Sequence, residues 1–318
     1  MSFSSNRTRQ WLPPIVNEAY HNHLEYIKKT KGADCKPRLY AVDGTFWLSR
    51  QANFFIIHGS SKPRPSQLYA PRFFYWDPEH LIQGSLLCPK CCSPLQRLQF
   101  TRPRRVVDLE DCYYIIGQRH RCPKCKNPRS GKHTVTYNSW DPRIHSMLPH
   151  ELQAEFPAIL SHRSAISADV FALMRSCFNY GVGSKQFSHI LLGLHHRRFS
   201  HIHVQYLDGV LSRSCRTDLD DGPQATYEAF SQFADTDGYA GFVPSSSWLC
   251  MMYDSFIEKH GPEIDQKTAM LSGDIIAIDH SHKVFTLLSF QLNANMFQCS
   301  RSQSRSARST VSHCSLRL

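Results

Sequence analysis

The spacing of apolar and polar positions changes character twice along the chain, near residue 150 and again near residue 286. Behind Pro13 and Pro14, which suit a first helical turn, Val16, Tyr20, Leu24 and Ile27 recur at helical intervals, and 15–30 is predicted to be an amphipathic helix. From Leu39 to Ile57 aromatic and β-branched residues dominate, in RLYAVDGTFW and NFFIIHG, with Asp43-Gly44 between them as a hairpin signal. The proline-rich stretch 60–71 is a loop, and Asp77 and Asp141, each followed by proline, are set to cap short helices. Leu98 and Phe100, then Val106 and Val107, then Tyr113 to Ile116 are strand-like.

Beyond His150 the period lengthens. LPHELQAEFPAIL and SAISADVFALMRSCFNYG read as helix, the latter with Ile166, Val170, Met174, Cys177 and Phe178 as its apolar stripe and Gly181 as its stop. A second helix is expected over 184–196, with Phe187, Ile190, Leu191 and Leu194 on one face. The stretch Asp218 to Gly222 is an acidic linker, and further helices are expected at 224–235, 246–259 and 263–270. Residues 274–284 form a buried-type strand, DIIAIDHSHKV. Within 300–315 seven residues are serine and three arginine, a composition that cannot build a core, so the tail is expected to be disordered.

Composition narrows the class. No run approaches the ~20 apolar residues of a membrane span, and the first residues lack a signal-peptide core, which predicts an intracellular protein without membrane attachment. In a reducing compartment the twelve cysteines point to metal or free thiols rather than disulfides. Four of them form two Cys-Pro-Lys-Cys pairs, Cys88/Cys91 and Cys122/Cys125, thirty residues apart. Each pair can present two sulfurs from one tight turn, and two such turns close a tetrahedron of thiolates, the ligand set of a structural zinc ion. The competing reading is two redox or free-thiol pairs. Cys92, Cys112 and His120 are the spare candidates: Cys92 should point away from the metal, Cys112 should be core, and His120 should stand behind the ligands.

Charge sharpens this. The net formal charge is +11, but residues 1–150 hold 23 Lys and Arg against 10 Asp and Glu, whereas residues 151–285 hold 10 against 16. The basic half carries the cysteine pairs, the footprint of a polyanion binder, although a basic surface can also serve solubility alone. Arg97, Arg102, Arg104, Arg105, Arg119, Arg121, Lys124, Lys126, Arg129 and Lys132 surround the cysteines as candidate nucleic-acid contacts, with Tyr113 and Tyr114 available either to stack on bases or to fill the core. Gly181-Val-Gly-Ser-Lys185 does not meet the phosphate-loop pattern. His189, His195, His196, His201 and His203 lack an HExxH arrangement. The helices around Gly181 have the layout of a helix-turn-helix, which is also that of ordinary helix packing.

From about Arg38 to Ser164 the chain resembles an uncharacterised cysteine-rich domain of unknown function found in fungal, especially mushroom-type, proteins. The resemblance rests on YAVDGTFW, LYAPRFFYWDP, both CPKC pairs, RRVVDLEDCYYIIGQRHRC and SWDPRIHSMLPHELQAEFPAILSHRSAI. In such proteins this domain often precedes a segment similar to the RNase H-like core of cut-and-paste transposases. The resemblance implies a transposon origin and aligns Asp279, in AIDHSHKV, with the first acidic residue of that core. The remaining acids of such a core would lie further along than Leu318, so the expectation is a truncated core without strand-transfer activity.

The expected fold is therefore α+β: an N-terminal helix and linker (1–37), a β-rich four-cysteine zinc-ribbon domain (38–150), a helical region (151–270), a truncated RNase H-like segment (271–286) and a disordered Ser/Arg-rich tail (287–318). The expected function is zinc-dependent binding of nucleic acid, DNA in the first place, in the nucleus and without catalysis. The alternatives are a Mg²⁺-dependent nuclease using Asp279, which would need the complete core, and a zinc-ribbon module that binds another protein.

Overall fold

One strand does most of the organising. In the computed structural model the described residues are 12–32, 36–60, 62–126, 135–217 and 226–269. The N-terminal part is helical: α1 (Pro14–Lys29), α2 (Arg38–Ala41), α3 (Asn53–His58) and α4 (Pro65–Leu68). Then come β1 (Arg72–Trp76), a 3-10 turn at Pro78–His80, β2 (Gln96–Phe100), β3 (Arg104–Val107), β4 (Cys112–Cys122) and β5 (Val135–Asn138). Short helices α5 (Pro142–His145) and α6 (His150–Ala154) lead to β6 (Ala158–Leu160) and β7 (Ala165–Ser167), and α7 (Ala168–Asn179), α8 (Ser184–Thr217) and α9 (Ser246–Ala269) follow. The chain forms two units, Met1–Glu258 and Lys259–Leu318. Of the second, only the end of α9 lies among the described residues.

The first half of β4 pairs with β1 in parallel on one edge and with β3 antiparallel on the other, in register Phe74↔Ile115 and Arg104↔Ile115. Its second half pairs antiparallel with β2 and β5, in register Arg97↔His120 and His120↔Tyr137. Beyond β3 the sheet continues through β7 to β6, so strands on the far side of residue 150 join the cysteine-bearing sheet directly. Both β1 and the first half of β4 are buried on both faces, which is why RFFYW and CYYII read as unbroken apolar runs rather than alternating ones. Phe74, Trp76, Tyr113 and Ile115 pack on the cysteine side, while Phe73, Tyr75, Tyr114 and Ile116 pack under Val16, Leu24 and Ile27 of α1. Val107 and Ile166 carry the sheet into a third cluster with Val170, Phe187, Leu191 and Leu249 of α7, α8 and α9.

Several expected elements come out differently. Asp43-Gly44 does not turn a hairpin: Gly44, at φ 58°, follows α2, whose last turn is closed by the Val42 and Asp43 amides on the Arg38 carbonyl. A left-handed glycine serves a helix stop as well as a hairpin turn. NFFIIH is the helix α3, with Ile56 and Ile57 buried and Phe54 and Phe55 exposed; an apolar run this short does not distinguish strand from helix. The helix expected through LPHELQAEFPAIL stops at Ala154, and Pro157 leads into β6. Ile166 belongs to β7, and α7 begins after Ser167, whose hydroxyl accepts from the Val170 amide at 3.2 Å. The second helix does not end at 196. Phe187, Leu191, His195, Ile202 and Tyr206 continue one buried stripe through α8 to Thr217. The expected helix 224–235 is absent over its described part. There Phe230 and Phe233 dock, with Tyr239, against Phe199 of α8. Helices expected at 246–259 and 263–270 are the single helix α9 running through Pro262, since a proline removes one backbone hydrogen bond at a cost of ~3 kcal/mol without necessarily ending a helix. Residues 271–286 and 287–318, with Asp279, lie outside the described residues, as do Arg129 and Lys132.

Gly117, where β4 passes from one set of partners to the other, has no room for a side chain. A Cβ there would lie 2.4 Å from Ser139 Oγ and 2.7 Å from Trp140 Cζ3. Gly117→Ala is expected to cost ~1–3 kcal/mol through displacement of Trp140, read as a lower urea midpoint at unchanged slope.

Candidate metal centre

The first cysteine pair sits on a tight loop between β1 and β2. Leu95 donates to the Leu86 carbonyl at 2.8 Å and Cys88 to the Ser93 carbonyl at 2.9 Å, so the loop closes on a short ladder. Inside it the Cys92 amide returns to the Cys88 carbonyl at 2.9 Å, and Cys92 takes φ 53°, the left-handed conformation that lets the chain reverse. The second pair lies at the end of β4. Cys122 is the last strand residue, and the Cys125 amide donates to its Sγ at 3.4 Å.

These turns bring four sulfurs together. Ligand atoms of Cys88, Cys91, Cys122 and Cys125 all lie within 4.8 Å of one another. Cys88 and Cys125 are 3.8 Å apart at sulfur, and Cys91 and Cys122 3.4 Å. A tetrahedron with metal–sulfur bonds of ~2.3 Å has sulfur–sulfur edges of about 3.8 Å, so the set fits a four-coordinate ion such as zinc. Cys88 and Cys122 are buried and Cys91 is at the surface. Hydrogen bonds from Ser93 hold the Cys91 thiol down at about 6, so one thiolate is ready near neutral pH, whereas the adjacent sulfurs push Cys125 up to about 12. The Tyr137 hydroxyl, 3.7 Å from Cys88 Sγ, ties β5 to the cluster. Exposed Cys92 is outside the cluster, and burial drives the Cys112 thiol up to about 12, which leaves it unreactive.

A second group lies on the same face of β4. Ligand atoms of Asp77, Glu79 and His120 are also within 4.8 Å of one another. Arg97 sits among them: its guanidinium donates to Asp77 Oδ2, to His80 Nε2 at 2.6 Å, and lies 3.6 Å from Glu79. Tyr75 donates to Asp77 at 2.8 Å, and His120 meets Glu79 at 3.1 Å. Arg97, partly exposed, is therefore the counter-cation of a buried carboxylate rather than an unpaired surface charge. His120, expected behind the cysteines, instead belongs to this second group, bonded to Glu79 and to no thiol.

The other basic residues divide by strand alternation. Arg119 and Arg121 face away from buried His120 and Cys122, opposite Asn138 and Thr136 of β5. Arg104 lies over the Trp140 ring, 5.3 Å from its centroid, and donates to the Ser161 carbonyl at 3.0 Å. Arg105 turns to the opposite face of β3 and covers the Phe242 ring. Arg102, Lys124 and Lys126 are exposed. Arg102, Arg104 and Arg119 meet Arg163 and His162 in an open groove of about 620 Å³ that has no carboxylate in its lining among the described residues. Arg163 and His162 come from the β6–β7 loop and have no sequence signal beyond being a basic pair in a short polar stretch. Tyr113 and Tyr114 are core. Of the histidine run, His195 is buried and bonded to the Asp108 carbonyl at 2.9 Å, while His196 and His203 stack on Phe233 and Phe230; none joins a metal-ligating group among the described residues.

Two predictions follow from this geometry. Cys122→Ser is expected to abolish stoichiometric metal binding, whereas Cys92→Gly keeps it and relieves the left-handed residue; metal content by mass spectrometry under native conditions checks both. Asp77→Asn, which strips a buried partner from Arg97, is expected to destabilise by ~3 kcal/mol, and Asp77→Asn combined with Arg97→Met by less than the sum of the single changes, measured by urea unfolding.

No helix among the described residues is long and apolar enough to cross a membrane. No curated protein and no solved structure matches the chain. A family model described as a domain of unknown function, DUF6729, matches residues 45–257. That span is longer than the 38–164 segment of the sequence resemblance, because it runs on through α7 and α8 and the first half of α9, the helices that share a core with β3 and β7. Since the match takes in most of the chain, with both cysteine pairs and every residue of the basic groove, the protein belongs to the DUF6729 family.

Proposed function

We propose that the protein binds nucleic acid, DNA in the first place, on the basic face of a sheet whose geometry is fixed by zinc on Cys88, Cys91, Cys122 and Cys125. The observation that carries this reading is the groove beside that sheet, where Arg102, Arg104, Arg119 and Arg163 converge with no acidic residue in the lining among the described residues. Zinc suits four thiolates, and a closed set leaves no coordination position for substrate, so the ion's role is structural. Arg104 is positioned by Trp140 and the β6–β7 loop carbonyls, while Arg119 and Arg121 extend the charge along the exposed face of β4. Guanidinium groups are suited to phosphate oxygens, and a series of them gives an affinity set by counterion release. The resemblance to cysteine-rich domains of transposon-derived proteins points to the same class of partner.

The test is fluorescence anisotropy of the zinc-loaded full chain with duplex DNA between 50 and 200 mM salt. About six phosphate contacts predict a loss of affinity of ~10³-fold across that range. Replacing Arg102, Arg119 and Arg163 together by alanine is expected to flatten the log–log slope by roughly two to three. Weak binding that does not respond to salt, in protein that retains its metal, would overturn this reading in favour of a protein partner.

A further inference from the structure

On the opposite face of β3 from Arg104 lies a second basic site, a smaller pocket than the groove and partly open to solvent. Arg105 points into it, and Arg50, from the chain before α3, and Arg198, from α8, line the same cavity of about 60 Å³. Among the described residues the only carboxylate in the lining is Asp111, and its Oδ1 is already taken by Arg72 at 2.7 Å. Arg50 donates to the Leu68 carbonyl at 3.0 Å, yet its Nε is buried without an acceptor. Arg105 stacks on Phe242 and likewise keeps a buried Nε without a partner. Arg50 is held below its usual range first by burial and then by repulsion from Arg198. His195, also in the lining, spends its Nε2 on the Asp108 carbonyl.

Buried donors normally find acceptors, and clustered like charges normally find a counter-ion. Here three guanidinium groups from three separate parts of the chain share one cavity with too little negative charge to neutralise them. A water needs ~10–15 Å³ of such space, so the cavity has room for about four to six waters or for one tetrahedral oxyanion of five heavy atoms. An oxyanion supplies both missing features, acceptors for the orphaned Nε–H groups and negative charge between the guanidinium planes. Leu68, Ile202 and Phe242 wall the remainder and leave no space for a nucleoside.

We propose that Arg50, Arg105 and Arg198 form a binding site for a phosphate group, separate from the nucleic-acid groove and independent of its assignment. Occupied, the site would link the N-terminal segment, the sheet and α8 through one ion. The phosphate arrives either as free phosphate or as the exposed phosphoryl group of a nucleoside monophosphate whose base stays outside.

The experiment is isothermal titration of the zinc-loaded full chain with inorganic phosphate, and separately with adenosine monophosphate, at constant ionic strength set by chloride. Thermal melting is recorded in parallel. Saturable binding near one equivalent and a melting temperature that rises with phosphate concentration are expected. Arg198→Gln, at a half-buried position on α8, is expected to weaken binding by roughly tenfold or more, the loss of one charge-assisted hydrogen bond, while leaving metal content and the salt dependence of DNA binding unchanged. Arg50→Gln should act in the same direction. Tighter binding of the monophosphate than of free phosphate identifies a nucleotide as the source, and the reverse identifies the free ion. Absence of saturable binding, with melting no different from that in chloride, means that water fills the cavity and overturns the proposal. So does phosphate affinity that is unchanged in both variants. Failure of DNA binding in the wild type leaves this result untouched.

Discussion

The crowding of four sulfurs at the end of β4 is the constraint on which the sheet depends. Cys122 is both the last residue of that strand and a member of the cluster, and Cys88 and Cys91 lie in the crossover that separates β1 from β2. A parallel pairing such as β1 with β4 needs a long connection, and loop closure has an entropic cost before any pairing repays it. Fixing the first cysteine turn against the second shortens that connection in effect, because β1 and β2 then leave one anchored point and meet opposite edges of the same strand. Without a metal the same four sulfurs would be a liability: deprotonated they repel one another, and protonated they are weak donors and acceptors. The depressed Cys91 and the raised Cys125 are the two sides of that conflict. A divalent ion held by the four sulfurs would resolve it, and its affinity would then count toward folding.

Charge on this sheet is sorted by the two-residue period of a strand, and the sorting separates arginines of quite different meaning. Arg97 and His120 are opposite one another in register and face inward, where Asp77 and Glu79 neutralise the arginine. Arg119 and Arg121, on either side of His120, face outward and meet no carboxylate among the described residues, Arg121 donating to Gln96 instead. On β3, Arg104 goes to the groove and Arg105 to the smaller pocket on the other face. A count of basic residues weighs all of these alike. Only those with an outward phase and no acidic partner contribute a field to a ligand, and the buried ion pair around Arg97 acts instead to set the direction of β2.

What was legible in the sequence follows the same logic. The cysteine set was legible because its spacing is chemistry that propensity does not disturb, and β2, β3 and β4 because alternation and apolar runs persist between the two pairs. α1 was legible because its stripe is long enough to show a period. The short helices α2 and α3 were not, since four to six apolar residues carry no period and Gly44 in a left-handed conformation fits either outcome. The full length of α8 was hidden by its histidines: His195 continues the buried stripe as a polar residue whose ring nitrogen is satisfied by a backbone carbonyl from the sheet, 87 positions away. The groove was half legible. Arg102, Arg104 and Arg119 lie near the cysteines in sequence, but Arg163 reaches it through the pairing of β6 with β7 and of β7 with β3.

The smaller arginine pocket was illegible for a stronger reason. Arg50, Arg105 and Arg198 are separated by 55 and 93 positions, and no local pattern links them. Their meaning comes from subtraction: Asp111, the carboxylate beside them, is already bonded to Arg72, and two of these half-buried arginines, Arg50 and Arg105, keep a buried Nε without an acceptor. Arg72 illustrates the contrast. It is as polar and nearly as buried, but Asp108 and Asp111 take it at 2.7 Å each, and a charge so paired asks for nothing from outside. A fold that spends two carboxylates on one arginine and leaves three arginines to share what remains has placed its positive surplus in a defined volume. That placement, more than the net charge of the chain, is what specifies an anion.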